Sequence, residues 1–159
     1  MKDMDEKFFL CVEIGGTNLR YGVVTKNYTL KEFEKIPSKG LSDAKNKGEY
    51  LKQLLDPVLE EHGGVSNFRC ISLSLASLMD RDRTICYNSP NIRGFDNLPL
   101  KEILERLWGL PVIMERDVNT SLLYDLWKNH MGQEGIVIGV YIGTGLGNAM
   151  SIDGKVYKG

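Results

Sequence analysis

Apolar residues along this chain recur at two spacings, and the switches between them mark out its elements. Phe8-Phe9-Leu10-Cys11-Val12 is an apolar run leading into Glu13-Ile14-Gly15-Gly16-Thr17-Asn18-Leu19-Arg20, and a β-rich run from Leu19 to Thr25 leads out. This predicts strand, tight glycine turn, strand. Lys26-Asn27-Tyr28 is a turn. Thr29 to Ile36 is a third strand, with Leu30, Glu32, Glu34 and Ile36 on one face and Phe33 on the other. Its imperfect alternation suits a sheet edge. Pro37 to Gly48 is polar and holds breakers, which predicts a loop. Leu51, Leu54, Leu55, Val58 and Leu59 then recur at helical spacing. Pro57 interrupts that helix, either as a restart capped by Asp56 or as a kink, and Gly63-Gly64 ends it.

Phe68 to Leu78 reads as a strand apolar on both faces, which places it in a sheet covered on both sides. Asp80 to Arg83 is a charged turn, Thr84 to Tyr87 a short strand, and Asn88 to Phe95 an irregular loop. Asp96 or Asn97 can cap the next helix, with Pro99 near its first position. Leu100, Ile103, Leu104 and Leu107 form its buried stripe, and Gly109 stops it. A strand from Pro111 to Glu115 precedes a helix from about Val118 to His130, whose apolar face is Leu122, Leu123, Leu126 and Trp127. Gly135 to Ile142 is another apolar strand, followed by Gly143-Thr144-Gly145-Leu146-Gly147 and a strand from Asn148 to Ile152. Asp153-Gly154 is a hairpin dipeptide, and Lys155 to Tyr157 starts the return strand. The order is β-β-β-α-β-α-β-α, then a second β-β-β that repeats the first.

A chain of 159 residues makes one domain, or one and part of another, with room for a core. The net charge is -1, and the scattered Lys and Arg leave no basic footprint for nucleic acid. No apolar run approaches the ~20 residues that span a membrane, and Met1 to Lys7 lacks a signal-peptide pattern. Cys11, Cys70 and Cys86 are odd in number and far apart, which predicts reduced thiols and a cytoplasmic setting. His62 and His130 fall at polar helix ends and are expected to be exposed; Trp108 and Trp127 have the spacing of core residues.

The chemistry lies in the turns. Gly15 and Gly16 allow positive φ and close approach of a ligand to the backbone. The Gly16 and Thr17 amides and the Thr17 hydroxyl can donate to phosphate oxygens. Glu13 can hold a cation directly or through water. An ordinary hairpin turn explains a lone Gly-Gly-Thr equally well. The run from Gly143 to Gly147 is richer in glycine than a turn needs. Asp117 is either a helix cap or a base, Asn91 a turn residue or a hydroxyl ligand, and Arg20 a phosphate contact or a carboxylate partner.

Two strand–glycine turn–strand units, one opening each half, resemble the actin-like ATPase fold of two ribonuclease-H-like lobes. Within it the chain resembles the ROK family (repressors, open reading frames, kinases) of sugar kinases. Four stretches carry the resemblance: Glu13 to Arg20, Ser89 to Phe95, Glu115 to Asn119, and Gly143 to Gly147. The resemblance implies an α/β fold, with a ribonuclease-H-like, mixed-sheet lobe over residues 1–117 and a connecting helix plus the start of a second lobe over 118–159. It implies ATP, Mg2+ and a hexose as ligands, no nucleic acid or membrane partner, and a homodimer in the complete protein. It implies that Asp117 is the catalytic base. Glu13, Gly15, Gly16, Thr17, Gly143, Thr144, Gly145 and Gly147 would meet the nucleotide. Asn91, Arg116 and Asn119 would form or support the sugar pocket. The Arg116-Asp117-Val118-Asn119 version most resembles D-allose kinases, with glucose, fructose and N-acetylmannosamine kinases as alternatives.

Three departures from the family pattern stand out. Glu13 replaces an Asp. Ser74-Leu75-Ala76-Ser77-Leu78 replaces a glycine- and proline-rich stretch. The Glu-x-Gly-His segment, the zinc motif and the adenosine-binding region do not appear in these 159 residues. The expectation is therefore an inactive portion of a sugar kinase, or alternatively a non-catalytic sugar sensor. A repressor is disfavoured, because only seven residues precede the first strand.

Overall fold

The computed structural model describes residues 7–131, 134–143 and 145–158. The chain runs β1 (Phe8–Ile14), β2 (Asn18–Val24), β3 (Leu30–Pro37), α1 (Lys39–Asp43), α2 (Lys47–Glu61), β4 (Phe68–Leu75), β5 (Leu78–Met79), β6 (Cys86–Asn88), α3 (Leu100–Trp108), β7 (Val112–Arg116), α4 (Asp117–Lys128), β8 (Ile136–Ile142), β9 (Leu146–Ile152) and β10 (Lys155–Val156). Five strands form one sheet in the order β3-β2-β1-β4-β7. Short turns make β1, β2 and β3 antiparallel, while β4 and β7 run parallel to β1. Parallel neighbours need a crossover, which α2 and α3 supply.

The main core lies under those two helices. Leu10, Val12 and Ile14 of β1, Ile71, Leu73 and Leu75 of β4, and Val112 and Met114 of β7 meet Leu51, Leu55 and Leu59 of α2 and Leu100 and Leu104 of α3. Each such side chain contributes about 1.5–3 kcal/mol on burial. Gly109 takes φ +65 and closes α3, as its position predicts.

Two-sided cover of β4 is not what the structure shows. β4 ends at Leu75, and Ser72 and Ser74 alternate with the buried Ile71, Leu73 and Leu75. These serines face away from α2 and α3, and that side is left as an open surface. It is a groove of about 590 Å³ bordered by Cys11, Tyr21, Phe33, Ser72 and Tyr124.

The stretch from Pro37 to Gly48 is also not a plain loop: it holds α1 and the start of α2. The buried Lys47 explains α1, because its Nζ donates to the carbonyls of Leu41, Ser42 and Ala44 at 3.0, 2.7 and 2.8 Å. Asn46 caps α2 by accepting from the Glu49 amide at 3.2 Å. α2 then runs through Pro57 without a break, and Asp56 is no cap. Asp56 instead accepts from Trp108 Nε1 at 2.7 Å, tying α2 to α3. Neither Asp96 nor Asn97 caps α3, whose N-cap is Pro99. Asp96 accepts from the Ser89 amide at 2.8 Å and folds the preceding loop onto itself.

Trp108 is buried, but Trp127 is 58% exposed and packs on Tyr28 and Tyr124. Leu123 is exposed beside it. The spacing on α4 predicts a face, but no element among the described residues covers its outer half. His62 is half-buried rather than exposed: its ring packs on Phe8 and Phe68, with Nδ1 3.0 Å from the Val58 carbonyl. His130 is exposed.

The second sheet has the order β10-β9-β8. Val137, Tyr141 and Ala149 pack on Val118, Leu122 and Leu126 of α4. The opposite face carries Ile136, Ile138, Val140 and Ile142, all exposed. All three cysteines are free, and no helix among the described residues is long and apolar enough to cross a membrane.

Candidate active site

Parallel strands deliver their carboxyl ends to one side of a sheet, and ligands bind there. The ends of β1, β4 and β7 bring Glu13, Ala76 to Leu78, and Arg116 with Asp117 to one cleft of about 510 Å³. The turn from β1 to β2 supplies Gly15, Gly16 and Thr17, and the loop after β6 supplies Asn91. The second sheet closes the far wall with Gly143, Gly145 and Gly147. The predicted residues therefore share one cleft with two exceptions. Thr144 lies outside the described residues. Asn119 is buried at 1% exposure and donates through Nδ2 to Glu115 Oε1 at 2.9 Å, so it supports the turn from behind rather than lining the cleft.

Neither Gly15 nor Gly16 takes a positive φ, so turn strain does not explain them. Close approach does: a Cβ on Gly16 would stand 2.7 Å from the Asn91 Cβ and 2.9 Å from its carbonyl oxygen. Ser38 fixes the same turn, donating from Oγ to the Gly15 carbonyl at 2.6 Å and from its amide to the Thr17 carbonyl at 3.0 Å. Gly16→Ala must separate the glycine turn from the Asn91 loop. A shift of that kind misplaces ligand groups by up to an ångström, which can cost about 100-fold in turnover. Calorimetric titration with a nucleoside triphosphate analogue checks it, with weaker binding expected.

Arg20 pairs with Glu13, Nη1 to Oε1 at 2.6 Å, and also lines the cleft. The longer Glu13 side chain is thus held by its cross-strand neighbour. Asp117 is the first residue of α4, after Arg116 at the N-cap position, and its Oδ1 accepts from the Val118 amide at 2.8 Å. Burial raises its pKa above the ordinary aspartate value, and Glu13 across the cleft adds to this. The Val118 amide and Arg116 oppose the rise without cancelling it. The helix start alone would have kept Asp117 more acidic than it is.

Glu115 behaves oppositely. It too is desolvated, but the Arg116 amide, Asn119 Nδ2 and Arg83 lower its pKa below the usual glutamate value. A lowered folded-state pKa stabilises the protein fully above the unfolded value. Part of the stability should therefore be lost as pH falls through the ordinary glutamate range and below it. Urea midpoints measured from pH 7 down to pH 3 should show this, and Glu115→Gln should flatten the slope.

Sequence reasoning missed Arg83. A run of Asp-Arg-Asp-Arg looks like a solvated turn, and nothing in its composition shows that one arginine turns inward. Tyr141 was missed as well; it lines the cleft, and its hydroxyl donates to Asp125 Oδ2 at 2.8 Å.

A family model described as "ROK family" matches residues 9–159. The chain belongs to the ROK family. Its fold is accordingly that of the actin-like ATPase superfamily, with a mixed sheet in the first lobe. It is 31% identical over 147 residues to a beta-glucoside kinase of Listeria monocytogenes, covering 92% of this chain and 47% of that one. It is 26% identical over 157 residues to a glucokinase of Halalkalibacterium halodurans, covering 98% and 47%. Among solved structures, a ROK family glucokinase from Streptomyces griseus in complex with glucose and AMPPNP superposes with a TM-score of 0.78 at 25% identity, covering 96% of this chain and 46% of that one. The chain spans about half the length of the curated relatives it matches.

Proposed function

We propose that this ROK chain is part of an ATP-dependent hexose kinase. The observation that carries the reading is the single cleft in which two glycine turns, one from each sheet, face Asp117. Phosphoryl transfer needs positioning, neutralisation of charge and a base for the acceptor hydroxyl. Asp117 is that base, and its raised pKa gives the carboxylate a stronger hold on the proton. The Gly16 and Thr17 amides and the Gly143–Gly147 turn hold the nucleotide phosphates. Asn91 and Arg116 orient the sugar, and Asn119 supports them through Glu115.

No group of three or more metal-ligating side chains occurs among the described residues. Mg2+ fits such a site, because it is commonly held by one or two carboxylates with water and substrate phosphates. Glu13 and Asp117 are the carboxylates lining the cleft. Glu13 would hold the ion, directly or through water, and the ion would neutralise phosphate charge there.

D-Allose is the first acceptor to test, on the Arg116-Asp117-Val118-Asn119 form of the motif, with D-glucose second on the names of the relatives. The test is sugar-dependent ADP release by this chain with ATP, magnesium and a panel of aldohexoses. Amide spectra with AMPPNP and each sugar would run in parallel. Turnover, or sugar- and nucleotide-dependent shifts at Gly16, Thr17 and Asp117, supports the reading. No turnover together with unmoved signals at all three overturns it.

A further inference from the structure

Behind the cleft, Arg83 sits in a place where an arginine is costly to keep. It is buried, and its backbone takes a left-handed φ of +57. L-residues other than Asn and Asp rarely hold that conformation without support. The support is Asp80, whose carboxylate accepts from the Thr84 amide at 2.7 Å, the Ile85 amide at 2.7 Å and the Thr84 hydroxyl at 2.6 Å. The Asp80 carbonyl also accepts from Arg83 Nη1 at 2.9 Å. The turn is thus a rigid bracket that aims one guanidinium inward.

Its target is Glu115. Arg83 Nε donates to Glu115 Oε1 at 2.8 Å. The same oxygen accepts from the Arg116 amide and from Asn119 Nδ2, each at 2.9 Å. Arg83 Nη2 reaches the Lys158 carbonyl at 3.3 Å, and Lys158 Nζ stands 3.5 Å from Glu115 Oε2. One carboxylate therefore gathers the turn after β5, the β7–α4 junction and the segment after β10.

We propose that Arg83 is a positioning residue: through Glu115 it fixes the Arg116–Asn119 turn and so holds Asp117 in the cleft. This rests on the reading of Asp117 as the base. Arg83 does not line the cleft, and Glu115 is its link to the Arg116–Asn119 turn. A charge anchored at three points resists rotation in a way a single ion pair cannot.

The test uses the whole chain, labelled for NMR, as wild type, R83Q, R83K and E115Q. Amide hydrogen exchange is read at Arg116 and Val118, with Leu10 and Ile71 as references in the main core. The Asp117 carboxyl carbon is followed through a pH titration. R83Q and E115Q should speed exchange at Arg116 and Val118 by tenfold or more while the reference amides stay within twofold. The Asp117 titration should move down toward the ordinary aspartate range as its burial is lost. R83K keeps the charge but cannot span all three contacts, so it should fall between. Should R83Q fail to fold, R83K and E115Q decide the matter. Unchanged exchange at Arg116 and Val118 with an unmoved Asp117 titration in the folded variants would overturn the proposal. Loss of all slow exchange at once, references included, would also overturn it, since the pair would then be a general prop. D117N tests the other claim separately: if it leaves phosphorylation intact, the base assignment fails while the positioning result stands.

Discussion

Asp117→Asn should lower hexose phosphorylation by about 10²–10⁴-fold, the usual contribution of a positioned general base. The substitution keeps the shape and can still accept from the Val118 amide through its carbonyl oxygen, so the helix start survives. What is lost is the carboxylate, and with it proton acceptance. The effect should fall on kcat, with KM for ATP nearly unchanged, if the nucleotide is held by the glycine turns as proposed. The pH profile gives an independent check. A base works ionised, and burial raises the Asp117 pKa. Activity should therefore fall on the acid side at a pH above the ordinary aspartate value of 3.8. That limb should disappear in D117N. Steady-state rates from pH 4 to pH 9 would show it, measured on this chain or on the longer relative-length protein if this chain alone is silent.

Phe95→Ala should cost about 3–5 kcal/mol of folding stability, the range for truncating a buried aromatic residue. Typical domains are stable by about 5–15 kcal/mol, so this is a large fraction. Phe95 is fully buried although it ends an irregular loop, and Ile92 beside it is equally buried. These two residues nail the Asn88–Phe95 loop to the main core. Asn91 lies between Ile92 and the proline before it, so the loss of Phe95 should also loosen Asn91 and weaken sugar binding. Urea denaturation measures the first effect, and titration with sugar of the variant held well below its melting temperature measures the second. Ile113→Ala is the control. Ile113 is exposed on β7, and its loss should change stability by less than about 0.5 kcal/mol.

Much of the fold was legible because period and punctuation agree. Apolar runs marked β1, β4 and β8, helical spacing marked α2 and α3, and Gly109 ended α3 where it should. The cleft was legible because two glycine turns follow apolar strands at matching places in the two halves. What was hidden depends on single long-range contacts. α1 has a polar sequence and is completed by one buried lysine. Ser72 and Ser74 look minor in an apolar run, yet they decide that one face of β4 stays open. Trp127 has core spacing, but spacing on a helix says which side a residue occupies and not whether anything covers it. Asn119 was grouped with the sugar residues through its motif. Its neighbour in space is Glu115 on β7, and only the closed turn reveals that. Arg83 was beyond reach, because an inward arginine is defined by partners 32 and 75 residues away.

The main core has one more consequence, and it concerns the order of synthesis. Every residue of that core lies at or before Met114, and all five strands of its sheet are complete by Arg116. A chain leaving the ribosome amino end first can therefore close this lobe while β8, β9 and β10 are still being made. The second core needs α4 and residues from Val137 onward, so it can assemble only on a scaffold that already exists. β8 emerges after that lobe, with Val137 and Tyr141 meeting α4 and Ile136, Ile138, Val140 and Ile142 meeting water. Folding is thereby ordered in time by the layout of the chain, and the strand with the exposed apolar face is made only after its partner helix.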